Sequence, residues 1–271
     1  MRKLVLVPLV LLLAASAADV RAASLILNEW NAVSAANFLG GPSSTNSDTF
    51  FGRIAGNGGD WVELVVIDDH LDVRGWQLDW FNTDAPPESG LVTFSSSSVW
   101  SDLRSGTIIT IRRDDAGFAA LPSDTSFNPS GGDWWIHVNV ADVSLVTSTT
   151  SPPGTPFTVD NDNWRMRIRD DSSVLVQGYV GEGQVATGWT GGGLGSDEVG
   201  KLENHPTAVP TNYRDGSSST FGSPNRWTTA SVPFEQDFTL LRAAVPEPSS
   251  IVLACLGFVG VGVAGYRKRR V

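Results

Sequence analysis

The chain has 271 residues, and its 29 acidic side chains outnumber 19 basic ones for a formal net charge of −10. Such an excess repels phosphate and argues against nucleic acid as a partner. A single cysteine excludes an internal disulfide framework.

At the N-terminus Arg2 and Lys3 form a positive region, Leu4–Ala15 an apolar one, and small residues follow. This is the layout of an export signal over residues 1–22, and cleavage after Ala22 or after Ala17 fits a signal peptidase. Twelve apolar residues are too few to span a bilayer comfortably. Setting aside residues 1–22 and 246–271 removes seven basic and two acidic residues. The body keeps 12 basic and 27 acidic side chains, and Lys201 is its only lysine. Cys255 lies outside it and all ten tryptophans inside it, so packing of large rings takes the place of covalent staples. About 220 residues can bury one sizeable core or two small ones.

The body reads as β almost throughout. Trp164-Arg165-Met166-Arg167-Ile168-Arg169 alternates strictly, three apolar side chains on one face and three arginines on the other. Trp134, Ile136, Val138 and Val140 share a face opposed by Trp135, His137 and Asn139, which places His137 on the sheet surface. Further strands are expected at Leu25–Trp30, Trp61–Ile67, Trp76–Trp80, Leu91–Phe94, Gly106–Arg112, Val174–Val180 and Phe238–Leu241. Turn-rich stretches separate them: Gly40–Asp48, Asp84–Gly90, Ser123–Asp133, Ser148–Pro156, Gly181–Gly200 and Gly216–Pro224. Many short strands with Gly, Pro and Ser turns indicate a sandwich or barrel.

Four clusters sharpen this. Asn28-Glu29-Trp30 opens the body, Trp61-Val62-Glu63-Leu64 and Leu71–Leu78 follow, and Ser219–Trp227 closes it. The succession resembles the lamin-tail domain of bacterial surface proteins, over about Ser24 to Trp227. That resemblance implies an immunoglobulin-like antiparallel β-sandwich, here with long insertions at Phe38–Asn57 and Ala116–Asp133 and with Phe221-Gly222 in place of the family's Pro-Gly. Trp61 and Trp76 then read as core anchors. Glu63 shares a face with Trp61 and needs a donor there. Glu29 and Glu63 are expected to satisfy polar groups of the fold, the alternative being the paired acids of a hydrolase.

Other chemistry is sparse. His70, His137 and His205 are scattered, without His-Glu-x-x-His spacing, and there is no Gly-x-Ser-x-Gly elbow. Gly195–Lys201 mimics a phosphate loop, but Leu202 stands where a Ser or Thr would hold magnesium, and Asp197 and Glu198 would repel phosphate. Asp160-Asn161-Asp162-Asn163 spaces oxygen ligands as calcium prefers, yet Trp164 takes the fifth position and no glycine the sixth, so no EF-hand forms. Turn chemistry accounts better for these acids, for Asp68-Asp69-His70-Leu71-Asp72 and for Asp170-Asp171. No cofactor or metal is expected.

The C-terminus is the most specific part. Pro246-Glu247-Pro248 leads into the apolar run Ile251–Tyr266, and Arg267-Lys268-Arg269-Arg270 follow. Sixteen helical residues span roughly 24 Å, slightly short of a bilayer core, and snorkelling arginines absorb the difference. Four cations in a row stay on the cytoplasmic side and place the body outside. The order and spacing look like the PEP-CTERM sorting signal of exported bacterial proteins. The resemblance implies that an exosortase-type membrane enzyme recognises Pro246, Glu247 and Pro248 and processes the tail, with Arg267–Arg270 as membrane stop.

The organisation expected is therefore a signal peptide at 1–22, a lamin-tail-like sandwich at 23–230, a linker with a short strand at 231–244 and the sorting signal at 245–271. The reading is a non-enzymatic protein, exported from the inner membrane to the surface or matrix of a Gram-negative cell. It acts in adhesion or matrix association, with the exosortase, the membrane and extracellular polysaccharide as partners. A carbohydrate-binding module, with Trp30, Trp80, Trp100 or Trp189 exposed in a line, is the first alternative. A surface hydrolase of unknown type is the second.

Overall fold

The computed structural model describes residues 23–243 except 84–85, 115–116, 183–192, 208–210 and 228–233. The expected export signal and sorting tail lie outside the described residues. In chain order the strands are β1 (Leu25–Asn31), β2 (Trp61–Val66), β3 (Gln77–Asn82), β4 (Glu88–Phe94), β5 (Ile108–Arg112), β6 (Trp135–Asn139), β7 (Val146–Ser151), β8 (Trp164–Arg169), β9 (Leu175–Gly181), β10 (Val199–Leu202), β11 (Tyr213–Gly216), β12 (Arg226–Trp227) and β13 (Phe234–Glu235). One helical turn, α1 (Thr239–Arg242), ends the described chain.

Two sheets carry the fold. The first runs β11-β10-β1-β2-β5-β6 and the second β7-β4-β3-β8-β9, with β12 and β13 forming a separate pair. Pairing is antiparallel except for β5 with β6, which is parallel, a departure from the wholly antiparallel sandwich expected. The 22-residue excursion from Arg113 to Trp134 returns the chain to the same end of the sheet, as a parallel pair requires.

The apolar faces of both sheets belong to one core. Val62 and Leu64 of β2, Ile109 and Ile111 of β5, Leu78 and Trp80 of β3, and Met166 and Ile168 of β8 are all buried within it. Trp30 and Trp164 bridge the sheets with ring centroids 6.0 Å apart. Each such ring removes on the order of 150–250 Å² from water, a gross gain of roughly 4–6 kcal/mol against the entropy of ordering the chain. Trp61, Trp76, Trp30, Trp80 and Trp100 are all buried. Three of the four rings proposed as an exposed sugar-binding line are thus in the core, and Trp189 lies outside the described residues.

At the edge where β1 meets β9 the ladder is broken and repaired. β10 pairs with β1 only at Glu29–Asn31, and Gln177 Oε1 accepts the Leu27 amide at 2.7 Å instead. Gln177 Nε2 donates to Tyr213 Oη (2.7 Å), which donates on to the Leu27 carbonyl (2.7 Å).

Some expected elements move. Phe238–Leu241, expected as a strand, forms the helical turn α1, with Phe238 and Leu241 buried in the core. Ser148–Pro156, expected as a turn, contains most of β7, and Val199–Leu202 forms β10. The strand found in the described part of 231–244 lies instead at Phe234–Glu235.

Candidate functional site

On the face of the first sheet that points away from the shared core, a polar row crosses all six strands. Arg214 of β11 pairs with Lys201 of β10, Lys201 with Glu29 of β1, Glu29 with Glu63 of β2, Glu63 with Thr110 of β5, and Thr110 with His137 of β6. The two acids that the sequence left apart are direct cross-strand neighbours. Glu29, Glu63, Lys201, Thr110 and His137 are buried, and the two acids and the amine are tolerable there only with partners.

The partners come from two loops. Thr220 Oγ1 donates to Glu29 Oε2 at 2.8 Å, and the Gly222 amide to Glu63 Oε2 at 2.8 Å. Asn28 Nδ2 donates to Glu63 Oε1 at 2.8 Å. Lys201 Nζ donates to the Ser218 carbonyl, to Ser218 Oγ (2.9 Å) and to the Arg226 carbonyl (2.8 Å), and lies 4.6 Å from the Trp227 ring centre. Asp48, itself buried, accepts from the Phe221 amide (3.0 Å) and from the Phe50 (2.7 Å) and Phe51 (2.9 Å) amides. The closing turn 218–226 is therefore clamped onto β1, β2 and β10 by charge-assisted bonds, the strong kind.

Gly222 makes the clamp possible. Its φ is +75°, and a Cβ there would stand 2.7 Å from the Trp135 ring. Phe221 fills the space beside it, packed at 5.0 Å on Trp61, 5.6 Å on Trp135 and 5.5 Å on His137. These rings cover His137, which is buried rather than on the sheet surface as expected. Its alternating strand has two buried faces, because the loops at 48–51 and 219–222 fold over the second.

Burial sets the electrostatics. Desolvation, against the attraction of Lys201, pushes the Glu29 carboxyl up to about 7. Glu63 is raised well above the carboxylate range by desolvation and then by the charge of Glu29. Lys201 is lowered by burial, which the facing acids oppose. His137 falls to about 4, chiefly through desolvation. The Thr110 hydroxyl accepts from Trp135 Nε1 and meets His137 Nδ1, both at 2.9 Å, which suits a neutral imidazole.

Two adjacent acids and an amine are the parts of an acid–base pair. Here their oxygens face the closing turn. The open space nearby is a hydroxyl-lined pocket of about 320 Å³ bounded by residues such as Asn46, Ser47, Ser217 and Arg226. Ser218 and Thr220, which bind Lys201 and Glu29, form part of its wall.

The remaining candidates do not converge. Among the described residues no three His, Cys, Asp or Glu side chains gather as a metal site would need. Asp160 accepts from the Asn161 amide (2.7 Å) and from Asn82 Nδ2 (3.1 Å). Asp170 Oδ1 accepts from the Ser172 and Val174 amides, as turn chemistry predicts. His70 pairs with Asp102 at the surface and His205 accepts from the Asp237 amide. In the phosphate-loop mimic the Gly195 amide is already bonded to Glu198 Oε2 at 2.8 Å. Sequence reasoning missed Lys201 as a member of the row and Asp48 as part of its cover, although a lone lysine in so acidic a body was a signal for the first.

Residues 244–270 match the PEP-CTERM protein-sorting motif. The match takes in Pro246-Glu247-Pro248 and Arg267–Arg270 and implies an exported protein sorted by an exosortase, with a membrane step. No curated protein and no solved structure matches the chain. Among the described residues no helix is long and apolar enough to cross a membrane, and Ile251–Tyr266 lies outside them.

Proposed function

We propose that this is a non-enzymatic protein of the Gram-negative cell surface or extracellular matrix, acting in adhesion or matrix association after exosortase processing. The observation that carries the reading is the sorting motif at 244–270 behind an acidic β body. In this account Ile251–Tyr266 crosses the inner membrane transiently and Arg267–Arg270 stop it on the cytoplasmic side. Prolines 246 and 248 hold the recognised segment extended, and Glu247 supplies its one charge.

The body is proposed as a lamin-tail-like, immunoglobulin-like sandwich. Support comes from the motif clusters, which meet in space: Asn28 and Glu29, Glu63, and the turn 218–226 form one clamp. The clamp also supports a structural rather than catalytic role for the two acids.

Replacing Glu247 by Ala in a host with exosortase is expected to leave an unprocessed precursor in the membrane and to lower matrix adherence of the cells. Normal processing in that variant would count against the sorting role. Unchanged adherence when the whole protein is deleted would count against the matrix role.

A further inference from the structure

The outer face of the second sheet carries an assembly that the sorting reading leaves unused. Arg165, Arg167 and Arg169 of β8 point outward at alternate positions, three of the body's eleven arginines on one strand. Arg165 and Arg167 each place the guanidinium carbon 4.6 Å from the Tyr179 ring centre, one residue pair gripping one ring. Phe81 meets Tyr179 edge-on at 5.6 Å and lies 5.7 Å from Arg165 and 5.8 Å from Arg167. Stacking holds these planar cations in place and lowers the entropy of using them.

Their counter-charge is incomplete. Asp79 accepts from Arg167 Nε at 2.5 Å and stands 3.6 Å from Arg169. Arg165 Nε is buried and has no hydrogen-bond partner. Three guanidiniums against one carboxylate make a cationic island on a body whose net charge is −15. Beside it Asp79 forms part of the wall of a groove of about 210 Å³, shared with Ser89, Leu91, Thr149 and Ser151. Hydroxyl groups from two strands thus flank the cations on one open sheet face.

We infer that this face binds an acidic polysaccharide, the carboxylate of a uronic-acid unit resting on Arg165 and Arg167 while sugar hydroxyls meet Ser89, Thr149 and Ser151. Guanidinium pairs carboxylate in two parallel hydrogen bonds, which fixes orientation as well as charge. The groove offers hydroxyls rather than an apolar anchor, which fits a sugar better than a peptide side chain. The inference rests on the matrix reading and gives it a ligand class and a site.

The test uses the full-length chain in detergent, with polygalacturonate as probe and dextran and poly-glutamate as controls. Wild type is expected to bind polygalacturonate, to ignore dextran and to bind poly-glutamate more weakly. Each partly exposed guanidinium lost should cost roughly threefold in affinity, so Arg165→Gln binds about threefold and Arg165→Ala/Arg167→Ala about tenfold more weakly. An unchanged melting midpoint in Arg165→Gln separates loss of binding from loss of fold. Wild-type affinity in both variants, or no binding by the wild type, overturns the site. Equal binding of poly-glutamate overturns the saccharide assignment. Matrix adherence that depends on the protein but not on Arg165 and Arg167 removes this site and leaves the matrix role standing.

Discussion

The two sheets handle charge in opposite ways. On the first, Glu29, Glu63 and Lys201 lie side by side on the face away from the core, and two loops seal them from water. On the second, Asp79 and three arginines occupy the equivalent face, and no loop among the described residues donates into them as the turn 218–226 does into the acids. The chemistry is nearly the same, carboxylate against cation on paired strands. Cover decides the outcome. Under a lid the ions stabilise one arrangement of the chain, because any unpaired member would be a buried charge. Without a lid Arg167 and Arg169 keep about a quarter of their side-chain surface in water, and ion pairs screened in this way contribute less to stability.

The largest difference should appear on removing one cation from each sheet. Lys201→Met keeps the volume but leaves Glu29 facing the Ser218 and Arg226 carbonyls without a cation. A loss of about 3–5 kcal/mol is expected, as for other buried pairs stripped of one partner. Chemical denaturation measures it, and a wild-type midpoint would show that the row is not a clamp. An intermediate effect should follow pH. Glu29, raised from 4.5 to about 7, keeps a proton in the folded chain that the unfolded chain releases. Its contribution is full below about pH 4.5 and is lost as pH rises through about 7. Measured from pH 5 to 8, the thermal midpoint of Glu29→Gln should therefore gain on that of the wild type. A pH-independent gap would mean that Glu29 titrates like a surface acid. The smallest effect belongs to the open sheet. Arg169→Ala removes a partly exposed guanidinium 3.6 Å from Asp79 and should cost at most about 1 kcal/mol. A loss as large as that of Lys201→Met would erase the contrast.

Legibility followed the same division. The strand Trp164–Arg169 was readable to the residue, arginines included, because one face is buried and the other is not. The strand containing His137 gave the same alternation and misled, since both of its faces are covered by parts of the chain far away in sequence. β7 escaped because Val146–Ser151 is an edge strand of Thr and Ser, whose composition resembles a turn. The meeting of Glu29 and Glu63 depended on the register of β1 with β2, and the shift between Leu27 and Glu29 sets that register from within the fold. No local pattern announces a bulge of this kind. The sorting tail was legible because its signal is a linear order of residues rather than a product of packing.

The last described segment has a mechanical consequence. Gln236 Oε1 accepts from Asn28 Nδ2 at 3.1 Å and from the Asn225 amide at 2.9 Å, and its Nε2 donates to Asn28 Oδ1 at 2.8 Å. Ser105 Oγ donates to the Leu241 carbonyl, and Arg242 donates to the Gly106 carbonyl at 2.9 and 3.0 Å. The segment that precedes the sorting motif is thus tied to the first strand of the body and to the turn before β5. Tension applied beyond residue 243 meets Arg242 and Leu241 first, then Gln236, and spreads through Asn28 into the middle of the six-stranded sheet. A protein pulled by its tail in this way resists as a whole sheet, and it does not peel from one end.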